Sequence, residues 1–336
     1  MTEKPKDLPP IDSPIPQQSK EAKNWNDLPW EMKEMVMENM DITTRTRFKL
    51  CSKSDKYLAE TTKLFLKNVE AKKEGSLSIH FGSICFIIDD VKIVLKADVS
   101  ELNIIRNGAT HTITFEDRQK AIEWVYKYFG SIVFNGKVHV ENFKINRLKY
   151  PTIPFKSEPK IKVNNLEVDY LGRYSCYKWF QHFAPCVNKL LLSNSHCFFR
   201  LYPIISNAKI LTIDCCQMSQ EAVQYMNAKT LEIFEPETGR DYFKILIKKW
   251  INEDYPIGSK LTCDRSNLSI FDPDFDKLSL DEVVGGFENI KRKRQTRRSC
   301  EAVYLMEYVI EMKANKYLVL SEDEIDFRGI ITDKMP

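Results

Sequence analysis

Cysteine and histidine residues between positions 176 and 197 come nearest to a metal site in this sequence. Zinc ligands usually occur as two pairs of Cys or His, with about two to four residues inside each pair. At one end of the segment the histidine and cysteine are directly adjacent, so the second spaced pair is missing. The pattern therefore predicts buried thiols and ordinary histidines, with no metal and no other cofactor. The residues concerned are Cys176, His182, Cys186, His196 and Cys197.

Sequence motifs for catalysis or nucleotide binding do not occur in the chain. There is no Gly-x-Ser-x-Gly nucleophile elbow, no Gly-x-Gly-x-x-Gly loop and no Gly-Lys-Ser/Thr among its 11 glycines. Cys215-Cys216 follows a predicted strand, but no neighbouring feature predicts the depressed pKa that a reactive thiol needs. We therefore expect no catalytic residue, and the chain is not predicted to be an enzyme.

The one concentrated charge feature is the run Lys291–Arg298, with six basic residues in eight. Such a run can act as a nuclear-import signal or as a patch for phosphate and acidic targets. It can equally form a solvated edge strand or loop, balanced by Asp281, Glu282 and Glu288. We favour the edge strand or loop, because Lys and Arg on an edge strand protect a sheet against aggregation.

The length and composition of the chain limit the number of domains and the class of protein to which these residues belong. At 336 residues the chain is long enough for about two domains. Its 43% hydrophobic and 11% aromatic residues exclude a wholly disordered protein. A formal net charge of +3 is too balanced to predict nucleic-acid or membrane binding.

Cysteine usage and the N-terminus indicate the compartment. The chain has nine cysteines, an odd number, and no Cys-x-x-Cys pair, which is typical of reduced thiols in the cytosol or nucleus. The proline-rich and charged residues 1–23 predict a disordered leader and not a secretory peptide. No later run is long enough to span a membrane. We expect a soluble protein, cytoplasmic and/or nuclear.

Residues 24–68 predict a module of three short helices. Met32, Met35, Val36, Asn39 and Met40 follow the spacing of one helix face. Asp27 is predicted to cap this first helix, with Pro29 in its first turn. The second helix is predicted across Asp41–Cys51 with Asp41 as its cap, and the third from Ser54 to Leu66. So small a unit leaves apolar surface exposed and is expected to need a partner, although its methionines could instead fill its own core.

From residue 69 onward the sequence predicts a mixed domain of strands and helices. Short runs rich in Ile, Val and Phe predict strands between residues 76 and 97. A helix is predicted over Glu116–Phe129, ended by Gly130, and Ile132–Phe134 and Val138–Val140 are predicted as strands around a tight turn at Asn135-Gly136. A helix is also predicted over Arg240–Ile251. The apolar segments of the tail fit helix or strand equally well.

A leucine recurs at regular intervals between about residues 160 and 235. Leu166, Leu190, Leu211 and Leu231 each begin a Leu-x-aliphatic unit, and the intervals between them are 24, 21 and 20 residues. This spacing is typical of leucine-rich repeats, in which each unit supplies one strand and a returning helix or loop. The segments Tyr174–Phe183 and Met218–Asn227 are long enough for such helices. A meandering αβ domain without solenoid geometry is the alternative.

The N-terminal helical segment carries a distinctive set of residues. They are Leu28-Pro29-x-Glu31-Met32, Val36, Met40-Asp41 and Leu50-Cys51. This set resembles an F-box. The resemblance implies docking on the Skp-type adaptor of a cullin ubiquitin ligase. The adaptor-binding residues implied by it are Leu28, Pro29, Met32, Val36, Met40 and Leu50.

The C-terminal part resembles a second family more loosely. Trp250-Ile251 followed by Pro256-Ile257-Gly258 resembles the F-box-associated, FTH-type domain of the large nematode F-box families. That resemblance implies that residues 69–336 select the target protein.

Two residues of the N-terminal segment depart from the F-box pattern, because Arg45 stands near a usual leucine and Ile42 replaces a common proline.

These observations combine into one expectation of fold and function. The fold is α+β or α/β, with a three-helix F-box followed by a degenerate leucine-rich-repeat-like αβ domain. The function is substrate recruitment to a ubiquitin ligase through a Skp-type adaptor and cullin scaffold, with an unknown protein substrate. One alternative is a leucine-rich-repeat-like interaction protein without a ligase role. The other is a nucleic-acid-associated protein acting through Lys291–Arg298, although nucleic acid and membrane are not the partners we expect.

Overall fold

The structure is a computed structural model that describes most of the chain. The predicted leader, residues 1–23, lies outside the described residues, as do the predicted turn Asn135-Gly136 and the pair Cys215-Cys216. The described residues are 24–75, 82–97, 99–134, 137–151, 155, 160–169, 173–194, 203–214, 220–234, 241–253, 255–264, 280–285, 287, 289–297, 304–322 and 326–335.

The chain divides into two compact units, one ending at Thr62 and the other beginning at Lys63. The first unit consists of three helices after a short 3-10 turn: the turn Trp25–Asp27, α1 Trp30–Glu38, α2 Ile42–Phe48 and α3 Lys53–Thr61. The third helix was predicted to reach Leu66, which is wrong. A strand begins at Leu64 instead, because Leu64 and Leu66 are buried while Phe65 between them is exposed, a period of two. The boundary predicted at residue 68 falls inside that strand.

Side-chain caps fix the starts of α2 and α3. Asp41 accepts hydrogen bonds from the backbone N–H groups of Thr43 (2.9 Å) and Thr44 (3.0 Å), which confirms the predicted cap of α2. The prediction that Asp27 caps α1 is wrong. Asp27 lies in the preceding 3-10 turn, where its carboxylate accepts the N–H of Asn24 (3.2 Å), and α1 begins only after Pro29.

The second unit is built on one mixed sheet. Fifteen strands are seen among its described residues. They are β1 Leu64–Gly75, β2 Gly82–Ile88, β3 Val91–Leu95, β4 Glu101–Arg106, β5 Ala109–Thr114, β6 Val138–Asn146, β7 Lys162–Asp169, β8 Lys189–Ser193, β9 Ile210–Asp214, β10 Thr230–Phe234, β11 Lys260–Asp264, β12 Ile290–Arg297, β13 Tyr304–Glu311, β14 Tyr317–Glu322 and β15 Asp326–Thr332. The helices of this unit are α4 Arg118–Val133, α5 Arg173–Phe180, α6 Pro203–Ser206, α7 Asp241–Asn252 and α8 Leu280–Val284, with 3-10 turns at Gln220–Tyr225 and Lys313–Asn315.

The centre of the sheet is parallel and its two flanks are antiparallel. Strands β1, β6, β7, β8, β9, β10 and β11 are neighbours in that order and all run in one direction. Strands β2 to β5 continue the sheet beyond β1, and β15 to β12 continue it beyond β11. Helices and strands are thus mixed as the sequence predicted, with an N-terminal helical region before a large sheet domain.

The leucines that recur in the sequence occupy equivalent positions on neighbouring strands. Leu166 is paired in register with Leu190, Leu190 with Leu211, and Leu211 with Leu231. The row continues to Phe143 on one side and Leu261 on the other. A second row lies two residues further along each strand. Both rows are buried, and the second consists of Ile145, Val168, Leu192, Ile213, Ile233 and Cys263.

Helices and turns in the crossover connections cover this buried face. The connection from β7 to β8 contains α5, and that from β10 to β11 contains α7, as parallel neighbours require a crossover. On α7, which was predicted as a helix, the side chains of Leu246, Ile247 and Trp250 are buried. Within the predicted helical segment Met218–Asn227, residues Gln220–Tyr225 form a 3-10 turn.

Helix α4 differs from its prediction at the C-terminal end. Gly130 was expected to stop the helix, but α4 continues to Val133, so the strand predicted over Ile132–Phe134 is wrong. Gly130 is required for a different reason. A Cβ atom there would lie 2.6 Å from the ring of Phe155, which packs into an aromatic cluster with Phe129 and Phe134. Close packing, and not helix termination, explains this glycine.

The two ambiguous apolar segments of the tail are strands, namely β13 and β14. The basic run supplies β12, which is the outermost strand beside β13. The ammonium of Lys291 lies 2.7 Å from the carboxylate of Glu311 on β13. An edge strand is the interpretation that the sequence favoured for this run. Arg298 lies outside the described residues.

Truncation of one ladder leucine tests the register. Changing Leu190 to alanine should cost about 2–5 kcal/mol of unfolding free energy, because the side chain is fully buried in the row. The matched control is Leu191→Ala, the same change at the next residue, whose side chain lies on the opposite, half-buried face. Urea unfolding of the full chain, followed by circular dichroism, measures both. Equal losses at Leu190 and Leu191 would contradict the observed register.

Candidate protein-docking surface

The first unit has a small apolar core. Its fully buried cluster consists of Met37, Leu58 and Ala59, against which Trp25, Met40 and Phe48 pack with part of their surface. Domains of this size bury a smaller fraction of their surface than larger ones. The stability of the unit therefore depends strongly on polar interactions between its helices and on any protein surface that covers its exposed apolar side chains.

Trp25 ties the N-terminal turn to α3. Its indole Nε1 donates a hydrogen bond to the Asp55 carboxylate at 3.0 Å, and its ring meets the ring of Phe48 edge-on, with centroids 4.8 Å apart. Asp55 also belongs to the cap of α3, because Ser52 Oγ accepts its backbone N–H at 3.0 Å. One side chain thus connects the 3-10 turn, α2 and α3.

Arg45 lies buried on α2 and holds the end of α3. Its guanidinium donates to the carbonyl oxygen of Ala59 from Nε (3.0 Å) and Nη2 (2.8 Å), and also to the carbonyl of Thr62. The last carbonyl groups of a helix have no partner within the helix and favour a cation. Burial lowers the pKa of Arg45, and Glu38 acts in the opposite direction. This residue departs from the F-box pattern at the sequence level, and the structure gives it a role.

The outer side of α1 is apolar and exposed. Met32, Met35 and Val36 are 50%, 64% and 42% exposed, and their spacing of three and four residues places them on one helix face. Met37, which belongs to the core, lies on roughly the opposite side of the helix. The helix is therefore apolar on two sides, and the structure covers only one of them.

Exposed aromatic and aliphatic residues adjoin α1 or lie elsewhere on the same unit. Trp30, at the start of α1, and Tyr57 on α3 are both exposed, and their ring centroids are 6.1 Å apart. Leu50, just after α2, is 84% exposed. Scattered exposed apolar residues are ordinary, but a contiguous set on one helix face is a candidate docking surface.

The six adaptor-binding residues predicted from the sequence fall into two groups in the structure. Pro29, Met32, Val36 and Leu50 are exposed. Leu28 is half-buried, and its backbone N–H donates to the carbonyl of Trp25 (3.2 Å). Met40 is half-buried as well and packs against the core of the unit. The methionines therefore divide into an exposed pair, Met32 and Met35, and a pair that packs in the core, Met37 and Met40.

Three exposed apolar residues of this surface were not among the predicted six. Met35 has the same helical spacing as Met32 and Val36, so the periodicity alone could have included it. Trp30 and Tyr57 lie on different helices, and their proximity follows from how α1 and α3 pack. No signal in the linear sequence pairs them.

The open face of the second unit is polar and arranged in rows. Asn142 donates to the side chain of Asn68 (3.1 Å) and Asn165 donates to that of Asn142 (3.0 Å), in register on β1, β6 and β7. Further along the sheet, Thr212 donates to the Glu232 carboxylate at 2.7 Å. On β6, β7 and β10 the side chains of this face are exposed or half-buried, so a partner can reach them, while Thr212 on β9 is buried.

The predicted Cys and His residues do not form a common site in the part of the chain that the structure describes. Cys176 is buried, Cys186 is exposed, and His182 is buried with Nε2 2.7 Å from the Tyr150 hydroxyl. His196 and Cys197 lie outside the described residues. Among the described residues, no group of three or more His, Cys, Asp or Glu could hold a metal ion. None of the described helices has the length and apolar character to cross a membrane.

Comparison with known families gives two matches. Residues 25–67 match the F-box domain family, which places an F-box on the helical unit described above. Residues 123–267 match a domain of unknown function, DUF3557, whose span runs from within α4 to just after β11. No curated protein and no solved structure matches the chain. The two matches together are those of an F-box protein with an associated C-terminal domain.

The role of Arg45 is testable by removing its guanidinium. Arg45→Met keeps the apolar stem but leaves the carbonyls of Ala59 and Thr62 buried without their donor, at a cost of about 2 kcal/mol or more. Amide hydrogen exchange in α3, measured in the full chain, should accelerate accordingly. The control is Arg47→Met on the same helix, where the side chain is exposed. Protection of α3 that is the same in both variants would show that Arg45 does not hold the helix end.

Proposed function

We propose that this chain recruits a target protein to a cullin-based ubiquitin ligase, docking on the Skp-type adaptor through its first unit. The F-box at residues 25–67 supports a role in substrate recognition at the family level. The observation that carries the specific proposal is the uncovered face of α1 formed by Met32, Met35 and Val36. An adaptor that buries this face completes the core of an undersized unit.

The chemistry of the face suits a hydrophobic groove. Full burial of one such side chain stabilises a complex by about 1.5–3 kcal/mol, and methionine adapts its shape to irregular pockets. Trp30 and Tyr57 add a rigid aromatic contact, a type of residue that often dominates binding energy. Pro29 and Leu50 are exposed and available to the same partner, as the F-box resemblance implies.

The second unit is proposed to bind the target. Its parallel strands β7 to β11, each linked to the next by a helix or 3-10 turn, support the view that it is a leucine-rich-repeat-like array with one extended polar face. Proteins of that kind use such faces for binding. Transfer chemistry then belongs to other subunits of the ligase, and this chain contributes position alone. The DUF3557 match covers β6 to β11 and therefore most of this parallel segment.

The two alternatives from the sequence are separable by affinity capture from cell lysate. Cullin and Skp-type subunits among the captured proteins support the ligase role. Capture of other proteins alone would favour an interaction protein without that role. Capture of nucleic acid that is lost at high salt would favour nucleic-acid binding through the basic run on β12, since polyanion binding weakens steeply with ionic strength. The ion pair of Lys291 with Glu311 is a structural use of that run and favours neither alternative.

Charged substitutions on the outer face of α1 test the docking surface. Met32→Asp or Val36→Asp should lower adaptor affinity by about two orders of magnitude or more, because an unpaired carboxylate in a hydrophobic groove costs several kcal/mol. The measurement is titration calorimetry of the full chain with purified Skp-type adaptor. Since both residues are exposed, thermal unfolding should change little.

A matched control for the same measurement is Met335→Asp. The side chain of Met335 is 51% exposed, nearly the same fraction as that of Met32, but Met335 belongs to the second unit, near the C-terminus. This variant should bind the adaptor like the parent. Undiminished binding by both α1 variants would refute the proposed docking surface.

A further inference from the structure

A lysine stands at the start of every strand in the parallel segment. Lys162, Lys189 and Lys260 are the first residues of β7, β8 and β11, and Lys209 and Lys229 immediately precede β9 and β10. The same holds for Lys63 before β1 and Lys137 before β6. All seven side chains are exposed. We call these seven residues the lysine rim.

Four rim lysines on consecutive strands lie at nearly the same level. The strand register pairs Lys189 with Ile210, Ile210 with Thr230 and Thr230 with Lys260, so Lys209 and Lys229 are displaced by one residue. Backbone bonds tie their starts together, since the Lys260 N–H donates to the carbonyl of Lys229 at 2.9 Å. Neighbouring strands are about 4.8 Å apart, so these four lysines span about 14 Å.

These four lysines differ from lysines of the open face, which form ion pairs with carboxylates. On the open face Lys144 pairs with Glu167, and Lys72 lies 3.1 Å from Glu74. No described carboxylate makes such an ion pair with Lys189, Lys209, Lys229 or Lys260. Asp169 and Asp214 close β7 and β9 at the opposite ends of those strands.

The stability of the sheet does not explain this arrangement. Like charges on adjacent strands repel and are destabilising. Lysines on edge strands discourage aggregation, but β8, β9, β10 and β11 are interior strands with hydrogen-bonded neighbours on both sides. The rim is therefore better accounted for by something that binds to it.

We propose that the lysine rim docks an acidic segment, rich in Asp and Glu, of the protein that this chain recruits. The proposal rests on the proposed function and names the chemistry of its target. In an extended peptide, alternate side chains are about 6.6–6.8 Å apart on one side. Flexible lysine side chains on a rim spaced at about 4.8 Å can pair with carboxylates at that interval.

The neighbours of the lysines favour a peptide over single-stranded nucleic acid. Channels for single strands interleave cations with aromatic rings on which bases stack. The residues that directly precede the four lysines are small or carry an amide. They are Asn188, Ala208, Ala228 and Ser259. Asn188 is exposed and can bond a peptide backbone.

Fluorescence anisotropy with the full chain tests the proposal. The probes are a labelled peptide of alternating Glu and Ser, the same peptide with Gln for Glu, and single-stranded oligothymidylate of equal charge. The parent should bind the Glu peptide, in a salt-dependent manner, and not the Gln peptide. Combined Lys189→Gln, Lys209→Gln, Lys229→Gln and Lys260→Gln should weaken binding about tenfold or more, because charge complementarity sets encounter and affinity.

Two matched variants complete the experiment. Lys96→Gln, Lys120→Gln, Lys127→Gln and Lys149→Gln together make the same change of net charge at exposed sites away from the rim, and should leave peptide binding nearly unchanged. Arginine at the four rim positions should retain binding. Equal loss in the rim and control variants, tighter binding of oligothymidylate than of the Glu peptide, or no binding of the Glu peptide by the parent would overturn the proposal.

Adaptor titration of the same preparations separates this proposal from the ligase role. The rim variant should bind the Skp-type adaptor like the parent, since none of the substituted residues lies in the first unit. Failure of the parent to bind the adaptor would refute the ligase role, while the peptide titration would still decide what the rim binds.

Discussion

The second unit depends on the register of its parallel strands. Leu166, Leu190, Leu211 and Leu231 stand in one buried row because each strand is aligned with the next without offset. A slip of one residue would turn the whole apolar row of a strand to the open face and bring polar side chains into the core. The connecting helices cover a face that exists only in this alignment, so the register is fixed by burial from one strand to the next.

The same register creates the surfaces that a partner can meet. Because the aligned parallel strands begin at equivalent positions, the first residues of all of them lie side by side at one end of the strands. Lysines separated by 20 or more residues in sequence therefore form the lysine rim. The amides of Asn68, Asn142 and Asn165 form a hydrogen-bonded row on the open face for the same reason. Binding features in such an array are therefore distributed over several connections, and no single loop contains them.

Sequence periodicity predicted the part of the fold that local patterns determine. The leucine spacing identified four strands and their register, and the helical spacing identified α1 and α7. It failed where a distant contact decides the outcome. Gly130 was taken for a helix stop because nothing nearby in sequence shows that the ring of Phe155 needs its space. In the sequence Arg45 is only a departure from a motif, and the structure shows that it donates hydrogen bonds to the carbonyls of Ala59 and Thr62. Trp30 and Tyr57 lie far apart in sequence, so their contact is visible only in the folded unit.

The first unit shows how an apolar face can be kept for a partner. Polar contacts hold its three helices together: Arg45 binds the end of α3, and Trp25 binds Asp55 while packing on Phe48. Met32, Met35 and Val36 are consequently not needed for the internal core and remain exposed on α1. A ligand that binds only the folded form stabilises it by a free energy that grows with the logarithm of the ligand concentration relative to the dissociation constant. The proposed adaptor would therefore supply to this unit the burial that its own small core lacks, coupling the order of the helices to assembly of the complex.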